Sequence, residues 1–271
     1  MSSTADPCQA PLGVFDSGVG GLTVVRALRE LLPQESIIYL GDTARVPYGS
    51  KSPDTIRRFS VEDTQFLINH GVKAVVVACN TATAHALPLL QTTFRVPVIG
   101  VIEPGVEATL ADGRAERVGI IGTAGTIRSS AYQYALAMRR PGLQIHAAAT
   151  PLLVPFIEEG WTDHPTLKLV LKEYLDPLLE KGIDTLMLGC THYPLLMPVL
   201  KKMLGRKVRL VDSASTCAAH AKEVLHQHRL LRRSRGRPAL DIFLTDLSEQ
   251  AETMARRFLG ADFGRVKKAS L

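Results

Sequence analysis

The sequence of 271 residues lacks the long apolar stretch that a membrane-spanning helix needs. Its longest apolar runs, such as residues 72–79, are far shorter than the roughly 18 residues of a membrane span. The first ten residues also contain neither the basic segment nor the apolar segment of a secretion signal. We therefore expect a cytoplasmic protein without a membrane partner.

Cysteine is scarce, and the spacing of the few thiols argues against metal binding. No two cysteines form a C-x-x-C pair, and none has the Cys/His spacing of a structural zinc site. We expect no metal and no disulfide, because thiols in a cytoplasmic protein stay reduced. Each thiol is therefore either a small buried side chain or a reactive group. The four are Cys8, Cys79, Cys190 and Cys217.

The usual nucleotide-binding motifs are absent as well. Residues 16–21 (DSGVGG) follow an apolar run and precede a helical pattern, but they match neither G-x-G-x-x-G nor a P-loop. A tight turn from strand to helix explains them better than a phosphate site does. Asp16 remains open to two interpretations, a helix cap or a functional carboxylate, because burying an unpaired carboxylate is costly. No motif indicates a pyridoxal site, and we expect no cofactor.

Positive charge is in slight excess, with 32 Lys or Arg residues against 26 Asp or Glu residues and a net charge of +6. Much of the excess lies after residue 228, where five arginines fall between Arg229 and Arg237. No aromatic residue that could stack on a base interrupts this cluster. A solvated basic loop is the favoured interpretation, a contact with a polyanion or a partner is the alternative, and we expect no nucleic acid partner.

Short β-branched runs alternate with amphipathic helical patterns along the chain. This alternation predicts an α/β protein with parallel sheets flanked by helices. With 46% hydrophobic residues, the chain has enough apolar material for one large domain or two medium ones. The predicted strands are residues 12–15, 37–40, 74–78, 98–101, 118–121, 143–147, 185–188 and 208–211.

Two segments recur in order, which suggests a pair of similar domains. Residues 12–21 resemble residues 118–126 at an offset of 106, and residues 75–81 resemble residues 186–192 at an offset of 111. Each half then has one cysteine at the end of a predicted strand, where open α/β sheets bind ligands. Two such edges facing each other would form a cleft with one thiol on each side.

Cys79 and Cys190 are the strongest candidates for catalysis. Each follows a predicted strand and precedes amide or hydroxyl side chains, in the segments ACNTAT and GCTHYP. One such cysteine alone would be interpreted as an inert buried thiol, whereas the matched pair favours a reactive role. Two thiols across a cleft can remove a proton from one face of a carbon and return a proton to the other face. His192 could relay a proton to or from Cys190.

Six segments together resemble the signature blocks of the glutamate racemase family. The resemblance extends from about residue 11 to about residue 265, in the family's order. It implies a cofactor-independent racemase that interconverts L- and D-glutamate for peptidoglycan and commonly forms a homodimer. The blocks are residues 15–23, 41–49, 78–84, 102–105, 121–127 and 189–195.

The resemblance also implies roles for individual residues. Cys79 and Cys190 would exchange the α-proton, Asp16 would assist Cys79, and His192 would assist Cys190. Glu158 would orient His192, although a surface ion pair is an equally good interpretation of Glu158. The substrate-binding residues would be Asp16, Ser17, Pro47, Tyr48, Gly49, Asn80, Thr81, Thr123, Thr126, Thr191 and His192.

We expect two similar α/β domains with the active site in the cleft between them. The first would comprise residues 1–102 and 213–271, and the second residues 103–212. Three alternatives remain at this point: an aspartate racemase with the same two-cysteine scheme, a non-catalytic amino-acid binding module, and a nucleic-acid binder that would depend on the basic cluster alone.

Overall fold

The computed structural model describes residues 6–233, 238–259 and 266–271, and this part of the chain contains ten strands and eleven α-helices. The strands are β1 (Leu12–Asp16), β2 (Ile37–Gly41), β3 (Ala74–Val77), β4 (Val98–Gly100), β5 (Arg117–Gly122), β6 (Gln144–Ala149), β7 (Thr185–Gly189), β8 (Arg209–Asp212), β9 (Leu240–Leu244) and β10 (Val266–Lys268). The helices are α1 (Leu22–Leu31), α2 (Pro53–Asn69), α3 (Asn80–Thr93), α4 (Ile102–Leu110), α5 (Ala124–Ser129), α6 (Ala131–Arg139), α7 (Leu153–Glu158), α8 (Pro165–Glu180), α9 (Met197–Leu204), α10 (Ser213–Gln227) and α11 (Glu249–Leu259).

The strands form two separate sheets in which every pairing is parallel. The first sheet has the order β10-β9-β2-β1-β3-β4, and the second has the order β6-β5-β7-β8. The predicted α/β class is confirmed, and all eight predicted strands are present. Two strands were not predicted, namely β9 and β10, which extend the first sheet at one edge.

The central strands are buried along their whole length. Every residue of β1, β2, β3 and β7 is buried. Continuous apolar runs of this kind are typical of parallel strands that have helices on both faces. This arrangement leaves the carboxyl ends of the strands as the place where polar side chains gather.

Helix α10 connects the two sheets. It packs against α1 beside the first sheet and against α4, which lies against β7 and β8 of the second sheet. The helix begins after Asp212, whose Oδ1 accepts hydrogen bonds from the backbone N–H groups of Ala214 (3.0 Å) and Ser215 (2.8 Å). These bonds satisfy donors that the first turn of a helix cannot satisfy itself. After α10 the chain returns to the first sheet and forms β9 and β10.

Only part of the basic cluster can be placed, since Arg235 and Arg237 lie outside the described residues. Arg232 departs from the expected solvated loop. Its backbone N–H donates to Glu35 Oε1 (2.8 Å), and its guanidinium donates to Ser36. Within the described ranges, no helix combines the length and the apolar character that crossing a membrane requires.

A buried ion pair lies at the amino ends of β2 and β3. Lys73 Nζ is 2.5 Å from Glu35 Oε2, and both side chains are at most 2% exposed. The ammonium also donates to the backbone oxygen of Cys8 (2.9 Å), so it connects the start of the chain to the first sheet. Removing one partner of such a pair leaves a buried charge without compensation.

Replacing Lys73 should therefore destabilise the fold. We expect Lys73→Met to lower the free energy of unfolding by about 3 kcal/mol, as measured by urea denaturation followed by circular dichroism. Arg26→Met is the matched control, because Arg26 forms an ion pair with Glu30 in which both side chains are more than 60% exposed. That pair should contribute less than about 1 kcal/mol. Equal losses in the two variants would contradict this account.

Candidate active site

A cavity of about 300 Å³ lies at the carboxyl ends of strands from both sheets. Its volume is at the lower end of the range for small-molecule pockets. Twelve of the fourteen predicted site residues line it, which brings together segments that are far apart in the sequence. They are Ser17, Pro47, Tyr48, Gly49, Cys79, Asn80, Thr81, Thr123, Glu158, Cys190, Thr191 and His192.

The other two predicted residues lie behind the cavity wall. Asp16 is buried at the end of β1, where its Oδ2 accepts from the Gly21 N–H (2.9 Å) and its Oδ1 lies 3.5 Å from the Thr191 hydroxyl. It therefore binds the backbone at the start of α1 and also contacts a residue of the cavity. Thr126 is fully buried and lies 3.1 Å from the hydroxyls of both Thr81 and Thr123.

Cys79 follows β3 and occupies the cap position of α3. Its sulfur lies 3.5 Å from the Ala82 N–H and 3.6 Å from the Ser17 hydroxyl. Burial and the nearby charge of Asp16 raise the pKa of Cys79 to about 12, although these two hydrogen bonds act in the opposite direction. Cys79 therefore keeps its proton at neutral pH in the free protein.

Cys190 follows β7 and belongs to a chain of titratable side chains. His192 Nδ1 lies 3.8 Å from the Cys190 sulfur, and His192 Nε2 lies 3.0 Å from Glu158 Oε1. Burial lowers the pKa of His192, but the hydrogen bonds and charges of Cys190 and Glu158 outweigh it and raise the pKa to about 10. His192 is thus an imidazolium between the Cys190 sulfur and the Glu158 side chain at neutral pH.

The absence of a side chain at Gly20 allows the Cys190 loop to approach α1. A Cβ atom at Gly20 would lie 2.3 Å from His192 Nδ1 and 2.5 Å from Thr191 Oγ1, which is closer than real Cβ contacts. Thr23 reinforces this contact by donating to the Thr191 backbone oxygen (2.8 Å). The DSGVGG segment is therefore the turn that receives the second thiol loop, and its glycine is a steric requirement.

Hydroxyl groups meet across the cleft at the cavity's polar side. Thr81 Oγ1 at the start of α3 lies 2.8 Å from Thr123 Oγ1, which caps α5. Asn80 is fixed at both ends of its amide, since Oδ1 accepts from the Tyr132 hydroxyl (2.6 Å) and Nδ2 lies 3.3 Å from Ser213 Oγ. Residues from the two sheets are thus hydrogen-bonded to each other beside Cys79.

The hydroxyl of Tyr48 is engaged away from the cavity. It lies 2.5 Å from Asp42 Oδ2 and 2.8 Å from Asp63 Oδ2, and both carboxylates are fully buried. The sequence analysis missed Asp42 and Asp63. Asp42 had a detectable signal, because it is a carboxylate that follows the predicted strand 37–40 after one glycine, whereas Asp63 lies within a helix and had none.

Apolar side chains complete the cavity wall, and these were also missed. Val46, Val154 and Pro155 contribute to the lining. Thr150 lines the cavity too, and its hydroxyl lies 2.5 Å from the Tyr193 hydroxyl. In the ranges that the structure describes, no cluster of three or more His, Cys, Asp or Glu side chains could hold a metal ion.

The fold and the cavity define a class: an α/β protein of two parallel sheets with two buried thiols that line one small pocket. The profile of the Asp/Glu/Hydantoin racemase family matches residues 22–221, which is most of the chain. The chain belongs to this family.

Curated relatives cover almost the full length of the chain. A glutamate racemase from Geobacter metallireducens is 49% identical over 260 residues, 96% of each chain. A glutamate racemase from Neisseria meningitidis serogroup B is 48% identical over 264 residues, 97% of each chain.

Solved structures agree in fold. Glutamate racemase from Francisella tularensis in complex with D-glutamate has a TM-score of 0.91 and 37% identity, covering 97% of this chain and 98% of that one. A glutamate racemase isoform from Bacillus anthracis has a TM-score of 0.92 and 40% identity, with the same coverage. Picrophilus torridus aspartate racemase, at 17% identity and a TM-score of 0.56, shares the fold.

Removing the charge of Glu158 should change the titration of His192. We expect Glu158→Gln to lower the pKa of His192 below its wild-type value of about 10, as measured by NMR of histidine labelled with ¹⁵N. Because folding raises this pKa above its usual value of about 6.5, the stabilisation is complete below pH 6.5 and is lost as the pH approaches 10.

The difference in the free energy of unfolding between wild type and Glu158→Gln should accordingly shrink from pH 6.5 towards pH 10. Glu159→Gln is the control, since Glu159 is the exposed neighbouring carboxylate. A pKa of His192 that does not change in Glu158→Gln would show that the carboxylate does not interact with the imidazole in solution.

Proposed function

We propose that this protein interconverts L-glutamate and D-glutamate by exchanging the α-proton between two cysteines. The observation that carries the proposal is the pair of buried thiols, Cys79 after β3 and Cys190 after β7, that line one cavity. The near full-length similarity to glutamate racemases supports the choice of substrate.

The reaction needs one thiolate and one thiol on opposite faces of the substrate α-carbon. The thiolate takes the α-proton and leaves a carbanion, and the opposing thiol then gives its proton to the other face. The product has inverted configuration, and the two cysteines have exchanged protonation states. The reverse reaction uses the same groups in swapped roles.

Each thiol has its own assisting group. The charge of Asp16 acts on Cys79, and we assign to its carboxylate the uptake of the Cys79 proton when Cys79 acts as the base. The ammonium group of bound glutamate would add a positive charge that favours the Cys79 thiolate. On the other side, His192 lies next to the Cys190 sulfur and can supply its proton, while Glu158 orients the imidazole.

The remaining site residues suit a substrate with two carboxylates. The hydroxyls of Ser17, Thr81 and Thr123 and the amide of Asn80 are donors for carboxylate oxygens. Thr126 positions Thr81 and Thr123, the 47–49 segment offers backbone groups, and Thr191 adds a hydroxyl near Cys190. The apolar walls exclude water, which strengthens these electrostatic contacts around the carbanion.

The product and the thiols also indicate where the reaction takes place. D-glutamate would serve peptidoglycan synthesis, and free thiols need a reducing compartment such as the cytoplasm. We further propose a homodimer, and two domains divided into residues 1–102 with 213–271 and residues 103–212. The strand composition of the two sheets supports this division, because β1–β4 with β9 and β10 form one sheet and β5–β8 form the other.

The decisive experiment is α-proton exchange of L-glutamate in D₂O, followed by NMR and by optical rotation, without added metal or pyridoxal phosphate. We expect the wild type to incorporate deuterium and lose optical rotation. Cys79→Ser and Cys190→Ser should each reduce racemisation by at least about 100-fold, because a serine hydroxyl is a far weaker acid than a thiol.

Cys8→Ser is the control, because Cys8 is remote from the cavity and should leave the rate unchanged. Exchange with aspartate and not with glutamate would favour an aspartate racemase. Binding of glutamate without exchange would favour a binding module, and full activity in either cavity variant would exclude the two-cysteine mechanism.

A further inference from the structure

A buried network of charged and polar side chains lies behind the substrate-binding loop, residues 47–49. Asp42 follows β2, Arg45 and Tyr48 follow it along the chain, and Asp63 comes from the middle of α2. Asp42 and Asp63 are fully buried and Tyr48 is 1% exposed. The reaction described above does not use these charges, so their burial calls for a different explanation.

Arg45 and Tyr48 each contact both carboxylates. Arg45 Nε lies 2.6 Å from Asp42 Oδ2, and Arg45 Nη2 lies 3.0 Å from Asp63 Oδ1. The Tyr48 hydroxyl lies 2.5 Å from Asp42 Oδ2 and 2.8 Å from Asp63 Oδ2. The arginine also binds Glu62, and its guanidinium lies 4.0 Å from the centre of the Phe59 ring, which covers it.

The number of protons determines how this network is bonded. A phenol has one proton, so Tyr48 can donate to only one of the two carboxylate oxygens that flank it. If both carboxylates were ionised, Asp63 Oδ2 would face the phenol oxygen with no proton between them. A proton on Asp63 Oδ2 completes the chain, because Asp63 then donates to Tyr48 and Tyr48 donates to Asp42.

The environment of Asp63 agrees with this assignment. Burial and the charge of Asp42 raise the pKa of Asp63 well above its usual range, although hydrogen bonding to Tyr48 and the charge of Arg45 act in the opposite direction. Asp42 remains the acceptor, since it receives hydrogen bonds from Tyr48, Arg45 and the Thr245 hydroxyl (3.0 Å).

The network is joined directly to a wall of the cavity. Tyr48 is followed by Gly49, where an added Cβ would lie 2.7 Å from Thr123 Cβ, so the loop packs tightly against the opposite side of the cleft. The Gly49 backbone oxygen in turn lies against Gly125. A shift of the Tyr48 ring would therefore move the backbone that meets the substrate and Thr123.

We propose that Asp63 is a positioning residue for substrate binding, acting as a neutral hydrogen-bond donor that fixes Tyr48 and, through it, the 47–49 loop. This inference rests on the proposed function, since its main readout is racemisation of glutamate. It assigns to α2 a role in the site although none of its residues lines the cavity among those described.

Three variants test the proposal, with KM and kcat for L-glutamate measured by polarimetry. Asp63→Ala removes the donor and should raise KM about tenfold, with kcat within about threefold of wild type, because binding is lost equally from the ground and transition states. Asp63→Asn should restore KM to within about threefold, since its amide can donate to Tyr48 and accept from Arg45. Tyr48→Phe should behave like Asp63→Ala.

Glu35→Ala is the matched control, because it also removes a buried carboxylate beside the first sheet. Glu35 lies at the amino ends of the strands, whereas Asp63 lies near their carboxyl ends. It should lower the melting temperature without changing KM. An unchanged KM in Asp63→Ala overturns the proposal, and so does an Asp63→Asn variant as impaired as Asp63→Ala. Should Asp63→Ala not fold, an unchanged KM in Tyr48→Phe has the same consequence.

The behaviour of the wild-type protein distinguishes a failure of this inference from a failure of the proposed function. A wild-type protein that binds glutamate without racemising it would refute the function alone, and the same variants would then be compared by the Kd of glutamate from calorimetry. A tenfold weaker Kd in Asp63→Ala that Asp63→Asn restores would support the positioning role. A wild type that does not bind glutamate would overturn both.

Discussion

The close approach of the turn before α1 to the Cys190 loop is the contact on which the site depends. Gly20 has no side chain, and this lets His192 and Thr191 lie where a Cβ atom would otherwise be. Asp16, at the end of the neighbouring strand, then reaches the Thr191 hydroxyl. The missing side chain at Gly20 thus lets the carboxyl ends of the two sheets come together. The cavity lies between these ends and is lined by residues from both sheets.

Within that cavity the two thiols have different surroundings. Burial, together with the nearby carboxylate of Asp16, raises the pKa of the Cys79 thiol to about 12. Cys190 is next to an imidazolium that Glu158 keeps charged. Such asymmetry suits a reaction that needs one base and one acid at each moment, and an incoming ammonium group would alter the side of Asp16 most strongly. Substrate binding and activation of the thiol would then be the same event.

Patterns local in sequence predicted much of this structure. Short β-branched runs that end in polar residues predicted eight of the strands. The same runs placed Cys79 and Cys190 at the ends of strands. β10 was missed because it is an edge strand of which only one residue is even half-buried. β9 lies between β10 and β2, but it was missed because Asp241 interrupts its short apolar run. Asp63 was missed for a related reason: it lies on α2 among ordinary helical polar residues, and only the packing of α2 against the 41–49 segment makes it part of the site. Contacts between distant segments leave no such local signal.

Buried charges occur at both ends of the first sheet, and their partners show what each end does. At the amino ends, Lys73 and Glu35 neutralise each other. Lys73 also binds the backbone oxygen of Cys8 and Glu35 binds the backbone N–H of Arg232, so this ion pair holds distant segments together. At the carboxyl ends, Arg45 is shared among three carboxylates, and a proton must make up the deficit. With the proton on Asp63, as we propose, Tyr48 accepts from one carboxyl group and donates to the other, which would fix the 47–49 loop. The first sheet is therefore stabilised by charges at one end, and the buried charges at its other end lie beside the candidate active site.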